Sequence, residues 1–63
     1  MLNAEQRSLL KLFDLSSREK AIADMLAKLP FIEYPEMSSQ VQTIVRKLMR
    51  MSDFEFGLLK KRL

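Results

Sequence analysis

Met37-Ser38-Ser39-Gln40-Val41-Gln42-Thr43-Ile44-Val45-Arg46-Lys47-Leu48-Met49-Arg50-Met51 is the stretch on which the fold turns. Met37, Val41, Ile44, Val45, Leu48 and Met51 recur at intervals of three and four residues, which places them on one face of an α-helix. Gln40, Thr43, Arg46, Lys47 and Arg50 share the opposite face. A helix of this pattern must lay its apolar stripe against other elements, and the rest of the chain supplies only helical ones.

A four-residue signal recurs on either side: a capping residue, two others, then Glu or Gln. It occurs as Asn3-Ala4-Glu5-Gln6, Ser16-Ser17-Arg18-Glu19, Ser39-Gln40-Val41-Gln42 and Ser52-Asp53-Phe54-Glu55. In such a capping box the first side chain accepts from an early helical N–H, and the fourth reaches back to the cap. The pattern predicts an all-α fold, a compact bundle of four short helices at about 4–13, 17–29, 37–51 and 53–62, forming one domain over 1–63. An apolar, Pro-containing connector occupies 30–36.

The first helix carries Leu2, Leu9, Leu12 and Phe13 on one side, with Leu10 off that side. The second carries Ala21, Ile22, Met25, Leu26 and Leu29 in one stripe. Only Asp14 and Leu15 separate the two, so an antiparallel or steeply crossed pair is expected. Pro30 is expected to push Leu29 out of helical dihedrals and end the second helix. Phe31, Ile32 and Tyr34 are expected to fold back across the core; the alternative is an aromatic loop that meets a partner. The third helix starts at Ser39 or earlier, since Pro35 and Glu36 suit the first helical positions.

The fourth helix is two-sided. Phe56, Leu59 and Leu63 line one side while Phe54 and Leu58 line nearly the opposite one. Met51 is placed to staple onto Phe56. Gly57 costs this helix roughly 1 kcal/mol relative to Ala and permits close backbone approach.

Composition narrows the function classes. The chain has no Cys and no His, so disulfides are excluded and the commonest metal ligand and general base are missing. A single Gly cannot build a phosphate-binding loop. The serines sit at expected caps, and Glu33 and Glu36 are a poor cation site. No enzyme, cofactor or metal is expected. No apolar run approaches the roughly 20 residues of a membrane span, and no signal peptide is visible, so a cytoplasmic, soluble protein is expected.

Two functional readings follow. A domain of about 60 residues buries only roughly 60% of its unfolded surface, and oligomerisation is the stabilising device left to it. With the two-sided last helix and five Met residues, this favours a non-enzymatic interaction module: an adaptor, inhibitor or regulator meeting a protein partner or forming a homodimer. Met49, Phe54, Phe56, Leu58, Leu59 and Leu63 are its candidate interface. The alternative is a small DNA-binding regulator. Residues 37–63 hold six basic and two acidic side chains against five and six in 1–36. Gln40, Thr43, Arg46, Lys47 and Arg50 are residue types that contact bases and phosphates. A helix-turn-helix is disfavoured, because its paired helices join through three or four residues whereas 30–37 is longer and holds two prolines.

Overall fold

The computed structural model describes residues 2–63. It is an all-α bundle of four α-helices: α1 (Ala4–Leu10), α2 (Arg18–Lys28), α3 (Pro35–Arg50) and α4 (Asp53–Lys61). A short 3₁₀ turn, Leu29–Phe31, extends α2. No described residue lies in a strand.

α3 is the centre. Val41, Ile44, Val45 and Leu48 are buried on its inner face, with Met37 and Met51 half-buried at its ends. Ala21 and Met25 of α2, Leu2 and Leu10 at the N-terminus, and Phe56 of α4 close over this stripe. α1 and α2 each pack chiefly on α3, which excludes an extended antiparallel pairing of the two. Burying one wide stripe on the longest helix removes more apolar surface from water than pairing the two short helices would.

Helix boundaries follow local hydrogen bonding. At α1, Asn3 accepts from the Gln6 backbone N–H and the Gln6 side chain accepts from the Asn3 N–H, a complete capping box. α1 ends at Leu10 rather than near 13, because the N–H groups of Leu12 and Phe13 turn to carbonyls three residues back. Asp24 Oδ2 then accepts from the Asp14 N–H at 2.8 Å, and Asp14 accepts from both the backbone and hydroxyl of Ser16. These bonds fix the corner into α2. They also revise the stripe on α1: Leu10 is fully buried and Leu12 is exposed.

The second signal is shifted by one residue. Ser17, not Ser16, caps α2, accepting from the Lys20 N–H. At the far end Leu29 keeps helical dihedrals despite the proline after it. Pro30 sits in the first turn of the 3₁₀ segment, where no N–H is required of it. The Ile32 N–H bonds back to Leu29, so the chain tightens before it leaves helical geometry.

α3 begins at Pro35, two residues before the expected start at 37, with proline in its first turn. Ser39-Gln42 is therefore helix interior and not a cap; the Ser39 carbonyl accepts from the Thr43 hydroxyl. The expected folding-back of the connector fails for two residues. Phe31 is 83% exposed and Tyr34 73% exposed, while Ile32 alone packs on the core. With α3 starting at Pro35, too few extended residues remain to carry both rings inward.

α4 carries the second complete capping box. Ser52 accepts from the Glu55 N–H, and Glu55 accepts from the Ser52 N–H at 2.9 Å. Met51 and Phe56 occupy the staple positions, Phe56 buried and Met51 packed against the core. Arg18 ties this end to α2, donating through Nε to Asp53 Oδ1 at 2.9 Å and through Nη1 to the Leu48 carbonyl at 3.2 Å.

Two stability measurements test this description. A Cβ built on Gly57 meets nothing within 4 Å, so Gly57→Ala should raise stability by about 0.5–1 kcal/mol through helix propensity, read by denaturant melts. Gln6→Ala removes one capping partner and the bonds described below, and should cost about 1–2 kcal/mol in the same assay.

Candidate functional site

The two-sidedness of α4 has a direct structural counterpart. Phe56 is buried, and Leu59 and Leu63 pack partly against the core. Phe54, 76% exposed, and Leu58, 44% exposed, stand on the other side, one helical turn apart. Lys61 and Arg62 follow on that side at the C-terminal end. Leu58, Leu59, Met51, Glu55 and Arg62 line a shallow hollow of about 170 Å³. Met49 is exposed on α3. Phe56 therefore leaves the candidate interface: its ring closes the intramolecular core. Leu59 and Leu63 remain as its half-buried edge.

The polar face of α3 is less free than its sequence suggests. Gln6 is the one buried polar side chain among the described residues. Its Nε2 donates to Gln40 Oε1 at 3.1 Å, and its Oε1 accepts from Lys47 Nζ at 2.9 Å. The same oxygen accepts from the Asn3 backbone, so one amide caps α1 and ties it to two turns of α3. Gln40 and Lys47 thus belong to the α1–α3 seam. Thr43 donates back to Ser39 and accepts from Arg46 Nη2 at 3.4 Å. Arg46 and Arg50 are exposed. The five residues do not form a single free surface.

Sequence periodicity did not disclose a third feature. Where α1 meets the start of α3, Glu5, Leu9, Tyr34, Pro35, Glu36, Met37, Ser39 and Gln40 line an open groove of about 820 Å³. A hollow of about 300 Å³ adjoins it, sharing Tyr34 and Met37 and adding Phe31, Ile32 and Glu33. The only sequence signal for this place was the aromatic content of the connector, since Glu5 and Leu9 join it through tertiary packing. No group of three or more Asp or Glu positioned to hold a metal occurs among the described residues. Nor is any described helix long and apolar enough to cross a membrane.

A family model described as "Putative transposon-transfer assisting protein" matches residues 2–60. The chain belongs to this family. The match spans α1 to α3 and all but the last residue of α4, so it includes the exposed α4 face and both connected hollows. No curated protein and no solved structure matches the chain.

The α4 face depends on its cap, and the cap titrates. Hydrogen bonds from the backbone and side chain of Ser52 hold the Glu55 carboxyl below its ordinary value of 4.5. A carboxyl depressed on folding stabilises the folded state above its unfolded pKa, and that contribution is lost as pH falls through the folded value. Glu55→Gln keeps a residue suited to the box but removes the titration. The wild-type chain should therefore lose thermal stability on acidification below about 4.5 more steeply than the variant, as followed by circular dichroism melts.

Proposed function

We propose that this chain is a non-enzymatic helical interaction module, an adaptor or regulator of a larger protein. In keeping with the family's description, that partner takes part in transposon transfer. The observation that carries this reading is the outer side of α4, where Phe54 and Leu58 stand in solvent while Phe56 alone anchors the helix fully in the core. Exposed aromatic and aliphatic side chains one turn apart are the pattern by which an amphipathic surface receives a partner helix. Met51, which lines a hollow with Leu58, adds an adaptable, polarizable side chain, and Met49 is exposed on α3. A cytoplasmic setting and the absence of catalysis belong to the same proposal.

A second copy of the chain is the simplest partner for this face. The DNA-binding alternative retains Arg46 and Arg50 as its exposed residues, with Gln40 and Lys47 already engaged by Gln6.

Phe54→Ser with Leu58→Ser is the informative variant, because neither residue lies in the core. The variant should remain folded by circular dichroism, while self-association in sedimentation, or retention of a co-purifying transfer protein, should be lost. A variant that keeps every association defeats the interaction reading. Binding of mixed duplex DNA with a salt slope of about −0.9 per phosphate, lost in Arg46→Ala with Arg50→Ala, would replace it by the alternative.

A further inference from the structure

The groove between α1 and α3 and the hollow beside it form one surface on either side of Tyr34 and Met37. Leu9, Ile32 and Met37 form its half-buried apolar floor. Phe31 and Tyr34 project from it, each more than 70% exposed. Glu5, Glu33 and Glu36 are its only charged lining residues, and neither hollow is lined by Lys or Arg. That arrangement is unexpected in a chain of net charge +3. Lys28, the closest cation in sequence to the aromatic segment, is directed elsewhere: its Nζ bonds Asp24 Oδ2 at 3.2 Å and lies 5.5 Å from the Phe13 ring centroid.

We infer that this surface is a docking site for a basic amphipathic segment of a partner protein, with apolar anchors and Lys or Arg at their flanks. The anchors fit over Leu9, Met37 and the two exposed rings. The cations meet the carboxylates of Glu5, Glu33 and Glu36, none of which forms an ion pair or a side-chain hydrogen bond among the described residues. Arg or Lys also gains from the faces of Phe31 and Tyr34. Charge complementarity of this kind sets specificity and association rate. The site lies by the first turns of α3, whereas the α4 face follows its last turn, so the inference stands apart from the reading above. It turns a one-surface module into a bridge with two different faces.

Tyr34 is the only tyrosine and the chain has no tryptophan, so intrinsic fluorescence reports on this surface alone. The probes are two synthetic amphipathic helical peptides with one Leu/Phe stripe, flanked in one case by Lys and Arg and in the other by Glu. The basic peptide should change Tyr34 emission saturably, and added salt should weaken it. Glu33→Gln with Glu36→Gln should weaken binding roughly three- to tenfold, as expected for two exposed ion pairs. Phe31→Ser, which alters no charge and no core residue, should weaken it as well. Phe54→Ser with Leu58→Ser should leave the titration unchanged, which separates this surface from α4. Equal response to both peptides, no response, or no effect of the Glu variants overturns the inference. A Tyr34 signal that follows protein concentration alone, together with self-association, overturns it in favour of a second copy whose basic α4 end occupies the groove.

Discussion

Everything in this molecule is arranged around the need to cover one face of α3. Val41, Ile44, Val45 and Leu48 form a stripe that is covered from three other parts of the chain. α2 covers one part with Ala21 and Met25, the N-terminal segment another with Leu2 and Leu10, and α4 the C-terminal end with Phe56. In a domain this small the margin of stability is thin, so each of these contacts matters to the whole. The consequence is that α1 and α2 owe their positions to α3 more than to each other, while α4 joins the same core through Phe56.

Two polar devices turn this hydrophobic collapse into one arrangement. Gln6 joins the cap of α1 to Gln40 and Lys47, so the start of the first helix and its rotation against α3 are set by a single amide. Arg18 does the equivalent work at the other end, reaching the Leu48 carbonyl and Asp53 and thereby relating α2, α3 and α4. Its ion pair with the exposed Asp53 carboxylate contributes little by itself. The value of both residues is geometric: they specify which side of each short helix faces inward.

The same geometry leaves two surfaces uncovered. α4 reaches the core through one buried ring, so its opposite side stays in solvent. The connector meets α3 at Pro35, so Phe31 and Tyr34 stay outside. The two surfaces differ in charge, one bordered by Lys61 and Arg62 and the other by Glu5, Glu33 and Glu36. In the reading proposed above, that difference assigns the two surfaces different partners.

How much of this was legible in advance follows from the range of each interaction. The all-α class, the four helices, the α3 stripe and the complete caps at Asn3 and Ser52 rest on residues within four positions of one another, and periodicity reads such patterns directly. The two sides of α4 were legible for the same reason. The Ser16 and Ser39 signals misled because a capping pattern is permissive: Asp14 took Ser16 for the corner, and Pro35 began α3 upstream of Ser39. The burial of Leu10 and Phe56, the engagement of Gln40 and Lys47 by Gln6, and the acidic groove beside Tyr34 were decided only by tertiary structure. Each depends on residues some 30 to 40 positions apart meeting across helix seams, and no local pattern encodes the rotation of one short helix against another.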